Sequence, residues 1–384
     1  MRRLREVGFG RGRVVRLVGK RLTSADAFAI AIGALFLAAI MIGDVRSAPA
    51  PRSPAATGRT CDRACLDGFV DRYLEAVAAN DPSRLPVTSG VKFTEDGQRL
   101  SLGDGLWNTA TGIGTYKFYM EDVAAGEVAF FGTMREAGEP IILALRLKIE
   151  GRKISEIETI LERTVQDAKN LEKRGRPDPL FTETIPPDER ASRDDLSRVA
   201  NMYFSGMQLN DGKGDYPFTD DCDRWENGTE ETNNHSTHMT YNPVATQSNS
   251  VELSPGHRSD ETYSAEWGCK RQFQSGLLHF VTRIRDRRFV IVDPERGVAL
   301  AFAFFDHAAG KTRTFKIPDG RTITAGPLTP WTWEIAEVFR VEHGKIRRIE
   351  AIYLRAPYGM NSGWSTWQDS MSTWPRWNEV SARR

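Results

Sequence analysis

Two stretches of this chain are repeated later in the same order, and that repetition constrains the architecture more than any single motif. Leu66, Phe69, Val70, Tyr73, Leu74 and Val77 recur at the i, i+3, i+4, i+7 spacing of an amphipathic helix that ends near Asn80-Asp81-Pro82. At an offset of 130 residues, Leu196, Val199, Ala200, Tyr203, Phe204 and Met207 take the matching places, and Asn210-Asp211 repeats Asn80-Asp81. After one inserted residue, Pro86, Thr88, Glu95 and Gly97 pair with Pro217, Thr219, Glu226 and Gly228, and Asp96 pairs with Asn227. Farther on, Glu150 to Arg163 aligns without gaps to Glu342 to Arg355, with seven of fourteen positions identical. A repeat at both ends implies duplication of a unit of about 100 residues in the first copy and about 165 in the second, the size of a domain.

Between those ends each copy reads as antiparallel strands. They are Thr115 to Glu121, Glu127 to Arg135 and Ile141 to Ile149 in the first copy. In the second they are His279 to Arg285, Phe289 to Val292, Gly297 to Phe305 and Glu334 to Val341. Asp122 to Gly126 and Asp293 to Gly297 both place Asp first and Gly last, as a hairpin with a positive-φ glycine requires. One long helix followed by a curved antiparallel sheet is an α+β arrangement with the helix packed across the sheet.

Ahead of the repeats, residues 1–47 hold nine basic and three acidic side chains, a surplus of six, so the rest of the chain carries a net charge of −5. A mildly acidic body has no basic stripe for phosphates, which excludes nucleic acid as an expected partner. The arginines instead precede Ala27 to Gly43, an uncharged apolar segment expected to enter a membrane as a signal peptide or signal anchor. Positive-inside bias then exports everything after Asp44, to a periplasmic or secreted location. The Pro, Ala and Ser linker 48–60 is expected to be disordered. A first domain over 61–165, a linker over 166–190, a second domain over 191–360 with a long insertion at 229–268, and a Trp-rich tail over 361–384 complete the organisation. Cys61, Cys65, Cys222 and Cys269 all follow the apolar segment and fit disulfides in an oxidising compartment. Local pairs are expected, although four cysteines allow three connectivities.

The order of helix, N-D-P, F-T-E-D-G and G-D-G-L-W (Gly103 to Trp107), then strands ending in K-I-x-x-I-E, resembles the NTF2-like (nuclear-transport-factor-2-like) or SnoaL-like superfamily. D-C-D-R-W-E-N-G (Asp221 to Gly228) and the Trp-rich tail are similar to an exported branch of it, DUF8021. The resemblance implies two tandem cone-shaped domains, each with a pocket on the concave sheet face. Hydratases, dehydratases, isomerases, cyclases and epoxide hydrolases use that pocket, as do proteins with no chemistry.

The chemistry-bearing residues concentrate in the second copy. Asp221, Arg224, Trp225 and Glu226 lie within a nine-residue run of four carboxylates, a guanidinium and an indole, a composition suited to proton transfer and to holding an anion. Asp221 and Arg224 have Gly90 and Phe93 as counterparts in the first copy, whereas Glu226 and Gly228 repeat Glu95 and Gly97 and suggest a shared turn. His279 and His307 are the strand-associated candidate bases, with Asp306 placed to orient His307. Tyr241, Trp331 and Trp333 are candidate substrate-binding residues. In the insertion, His235 and His238 lack a third ligand at fixed spacing, so neither a metal nor a cofactor is expected. The sequence thus favours a cofactor-free lyase, hydratase or isomerase acting on a small hydrophobic or aromatic molecule in the second-domain pocket. Its rival is a non-catalytic envelope module that binds a ligand or partner through the Trp-rich tail.

Overall fold

The structure is a computed structural model that describes residues 61–234, 265–309, 313–316, 322–325 and 329–377. The leader with its apolar segment 27–43, the linker 48–60, and His235, His238 and Tyr241 of the insertion lie outside the described residues. No helix among the described residues is long and apolar enough to cross a membrane.

Helix α1 (Arg63–Ala78) precedes strands β1 (Val87–Glu95), β2 (Gln98–Leu100), β3 (Ala110–Asp122), β4 (Glu127–Glu136), β5 (Glu139–Glu150) and β6 (Lys153–Glu162). After α2 (Val165–Arg174), α3 (Arg193–Met207) leads into β7 (Phe218–Glu226), β8 (Thr229–Glu230) and α4 (Cys269–Gln274). The chain continues through β9 (Arg283–Asp293), β10 (Val298–His307), the small pair β11 (Arg313–Lys316) and β12 (Thr322–Ala325), β13 (Trp331–Glu342) and β14 (Lys345–Ala356). It closes with α5 (Trp367–Met371) and β15 (Arg376–Trp377).

The first sheet runs β2-β1-β6-β5-β4-β3, and the second runs β8-β7-β14-β13-β10-β9 in the same order with β15 added at the far edge. The β1–β6 and β7–β14 pairs are parallel, while the other shared pairs are antiparallel. The repeat therefore extends to strand order and direction. Asp96-Gly97 and Asn227-Gly228, the turns joining β1 to β2 and β7 to β8, both have positive φ at the two residues, as a two-residue hairpin turn demands.

Three apolar clusters stack in sequence. Leu66, Phe69, Val70, Tyr73, Leu74 and Val77 bury one stripe of α1 against the first sheet. Leu196, Val199, Tyr203, Phe204 and Met207 do the same for α3 on the second. Each such side chain contributes roughly 1.5–3 kcal/mol on burial. Between the sheets, Tyr116, Phe118, Phe131 and Ile160 of one meet Ile291, Leu300, Phe302 and Val338 of the other. Each sheet thus packs a helix on one face and the other sheet on the second.

Ion pairs cross the sheet contact, including Arg288–Glu158 at 2.5 Å, Arg193–Asp122 at 2.6 Å and Arg174–Glu350 at 2.6 Å. The tail also bridges, since Trp364 Nε1 donates to Thr94 Oγ1 at 2.8 Å and its ring lies beneath Lys92 and Arg146.

Two features depart from the sequence expectation: each sheet is mixed rather than antiparallel throughout, because β1–β6 and β7–β14 run parallel, and one stretch changes its strand bounds. His279 to Arg285 and Phe289 to Val292 are not separate strands; a single strand begins at Arg283. Asp286, at φ +50°, makes a bulge opposite β10 that bends the strand without ending it. His279 instead lies in a 3-10 turn, Leu277–Phe280, launched by the left-handed Gly276.

Candidate functional site

Strand parity assigns the candidate residues to faces. On β7, Arg224 and Glu226 share the α3-facing side with Phe218 and Cys222, whereas Trp225 turns the other way. Trp225 donates through Nε1 to Asp223 at 2.9 Å and stacks under Arg174. Asp221 is 54% exposed and pairs with Arg347 at 3.0 Å, a surface contact rather than a site member. On β13, Trp331, Trp333, Ile335, Glu337, Phe339 and Val341 alternate onto the α3-facing side.

The registers place Glu226, Ala351, Glu337 and Ala301 in one row across β7, β14, β13 and β10. The corresponding row of the first sheet is Glu95, Thr159, Leu145 and Phe130. Next to it, Arg224 takes the place of Phe93. At these positions the second sheet carries guanidinium, carboxyl and methyl groups where the first carries Phe93, Leu145 and Phe130.

Arg224 is buried and held on three sides. It donates to Glu226 Oε1 at 2.7 Å, Gln272 Oε1 at 2.8 Å and the Tyr203 hydroxyl at 3.3 Å, while its Nε makes no hydrogen bond among the described residues. Gln272 is fixed in turn by donating to the Glu231 carbonyl at 2.6 Å, and α4, which carries it, is tied to β7 by the Cys222–Cys269 disulfide. The second disulfide joins Cys61 to Cys65, so both expected local pairs form. They agree with an oxidising, exported setting.

Glu337 is 0% exposed, and neither carboxyl oxygen makes a hydrogen bond among the described residues. Burial pushes its carboxyl up to about 8, the charge on Glu226 adds to the rise, and Tyr203 and Arg224 oppose it. Glu231 is likewise raised by burial and by Glu226. Asp167 on α2, also within the field of Glu231, is pushed up to about 6, chiefly by burial. Carboxyls here outnumber the single guanidinium, so protons are retained near neutral pH.

A pH dependence follows from Glu337. Its folded value lies above the ordinary 4.5, so its stabilising contribution is complete below that value and is lost as pH rises through about 8. The unfolding free energy is expected to fall across that window with a slope of up to about 1.4 kcal/mol per pH unit. Denaturant titrations of wild type and Glu337→Gln at intervals across the window check this; the variant should show a flatter profile.

The histidines do not join this centre. His307 shares its face but lies at the strand end, stacked on Trp331 with ring centroids 3.5 Å apart and flanked by Phe280 and Trp333. Burial lowers its pKa to about 3, and neither ring nitrogen makes a hydrogen bond among the described residues. Asp306 does not orient it, because adjacent strand residues point to opposite faces. Asp306 instead accepts from Arg285 at 2.8 Å and 3.1 Å, from Thr332 at 2.7 Å and from Arg283. His279 places Nδ1 3.2 Å from the Gly276 carbonyl within its own turn. Trp331 and Trp333 are part of the aromatic end, where Trp333 stacks with Tyr353 at 4.5 Å. An open cleft of about 560 Å³ lies elsewhere, lined by residues including Arg198, Tyr216, Lys270 and Lys345, and none of these candidates borders it.

Tyr203, Glu231, Gln272 and Glu337 are the members the sequence reading missed. For Glu337 a signal existed: in W-T-W-E-I-A-E-V-F it is the one charged residue in the apolar phase of the strand. Tyr203 is visible only as a helix core residue, Glu231 lies near the start of the long insertion and Gln272 lies just beyond its end.

Residues 189–353, from just ahead of α3 into β14, match the family described as a domain of unknown function, DUF8021. No curated protein matches the chain.

Proposed function

Taking residues 189–353 as a DUF8021 domain, we propose that its α3-facing sheet surface is the acid–base centre of a cofactor-free lyase, hydratase or isomerase acting on a small hydrophobic molecule. The proposal includes an NTF2-like architecture for both halves, with domains over 61–165 and 191–360, in a chain exported by way of its basic, apolar leader. One observation carries it: Arg224, Glu337 and Ala301 stand at positions where the first sheet packs Phe93, Leu145 and Phe130. The fold does not require charge there, and an unpaired carboxyl buried there costs stability.

In this reading Glu337 moves the proton, a role for which the sequence offers His279 and His307. A carboxyl raised to about 8 holds a proton at neutral pH and can give it up or take it back. Arg224 is clamped by Glu226 and Gln272 and stabilises negative charge developing beside it without reorganising. Trp333, Tyr353 and Phe339 on the same face supply apolar contact. The envelope-binding alternative retains one supporting feature, the exposed Trp367, Trp374 and Trp377 of the tail.

Solvent deuterium exchange separates the two. Wild-type protein in heavy water, given a panel of small hydrophobic ketones, hydroxy compounds and amines, should wash deuterium into an acidic C–H position of at least one. Positioned acid–base groups contribute about 10²–10⁴-fold, so Glu337→Gln should slow that exchange by this order. No exchange with any compound, or exchange untouched by both Glu337→Gln and Arg224→Met, refutes the enzymatic reading.

A further inference from the structure

The charge balance of the same centre points to the class of molecule it accepts. Arg224 is already matched by Glu226 at 2.7 Å and also donates to Gln272 and Tyr203, which leaves Nε as its one buried donor without a hydrogen bond among the described residues. Glu231 and Glu337 make no ion pair among the described residues, and both Glu337 oxygens are without hydrogen bonds while fully buried. An anion entering here meets the buried Glu337 carboxyl and one guanidinium already matched in charge by Glu226. A cation meets the opposite: a buried carboxyl with no hydrogen bond among the described residues, the methyl-sized Ala301 and Ala351 on either side of Glu337 in its row, and rings from Tyr203 and Phe339 on the same face.

We propose that this centre binds a hydrophobic molecule carrying a protonated amine, with Glu337 as the carboxylate that receives the ammonium group. The inference rests on the acid–base reading of the same cluster. It goes further by fixing the ligand's charge. An ammonium in this position forms charge-assisted hydrogen bonds to oxygens that otherwise have none. The proton held by the Glu337 carboxyl is then released to solvent while the amine keeps its own, so binding and proton release are coupled one to one.

Calorimetric titration of the full chain tests this with 2-phenylethylamine, tryptamine and cyclohexylamine, each at pH 7 in two buffers of different ionisation enthalpy. 2-Phenylethanol and 3-phenylpropanoate serve as neutral and anionic counterparts of the first. At least one amine should bind with release of about one proton. Glu337→Gln should weaken that binding tenfold or more and abolish the buffer dependence. His307→Ala, at the aromatic end, should keep the proton release. Binding of 3-phenylpropanoate in preference to the amines overturns the proposal, as does undiminished amine binding by Glu337→Gln or no binding by any amine. Deuterium exchange is read independently. Exchange into a neutral compound without amine binding leaves the acid–base centre standing and removes its preference for cations, and amine binding without exchange does the reverse.

Discussion

Replacing Asp306 by Asn should lower the unfolding free energy by roughly 3–5 kcal/mol, because it breaks a buried ion pair and leaves a guanidinium uncompensated. Asp306 and Arg285 are both 0% exposed. Asp306 receives both arms of Arg285, the Thr332 hydroxyl and Arg283. Arg285 then reaches the tail through the carbonyls of Met360 at 2.7 Å and Ser370 at 3.1 Å, so the loss should spread to the strap crossing β9. Chemical denaturation compares the midpoints of wild type and variant at constant slope. A variant as stable as wild type but slower in catalysis would return Asp306 to the proton-transfer role that its sequence position beside His307 suggested.

The paired substitution Cys222→Ser and Cys269→Ser ranks next. The bridge spans a sequence separation of 47 residues, for which loop-closure entropy gives about 4 kcal/mol. Opening the Cys61–Cys65 bridge, with a separation of 4, should cost about half as much on the same argument. The larger bridge also ties β7 to α4, and α4 carries the Gln272 that fixes Arg224. Its removal should therefore weaken the centre as well as the fold. Melting under reducing and oxidising conditions measures the first effect, and deuterium exchange at a temperature where the variant remains folded measures the second. A loss confined to stability would show that α4 holds its place by packing alone, through Phe273 against Tyr203, Tyr216 and Phe218.

The sequence disclosed the repeating plan because its signals are local or periodic. The helical stripe from Leu66 to Val77 needs only its own spacing to be recognised, and the Asp96-Gly97 and Asn227-Gly228 turns need only their own backbone. Faces were harder to assign. Alternation in the sequence gives His279 a strand position opposite Leu278 and Phe280, yet the left-handed Gly276 and the Asp286 bulge shift where that strand begins. Asp306 and His307 are neighbours in sequence, and strand alternation separates them.

The centre itself was half legible. Arg224 stood out because its counterpart is Phe93, and Glu226 lay in the same charged run. Glu337 sits 113 positions from Arg224 and reaches its row only through the register of three strands. Comparing the two copies strand by strand, rather than only where their residues agree, isolates it, since the informative positions are those where the copies differ.

The most direct measurement is made on Glu337→Leu, which gives the second sheet the residue that the first carries at Leu145. Exchanging a buried acid for an aliphatic side chain of similar size should leave stability at pH 7 unchanged or raised, because the carboxyl makes no full hydrogen bond among the described residues, its contact with the Tyr203 hydroxyl is weak, and a desolvated group is removed. Deuterium exchange and amine binding should disappear from the same preparation. A variant that folds and still exchanges deuterium at the wild-type rate, or one that fails to fold because the carboxyl was holding the sheet together, would contradict the assignment of this cluster to function.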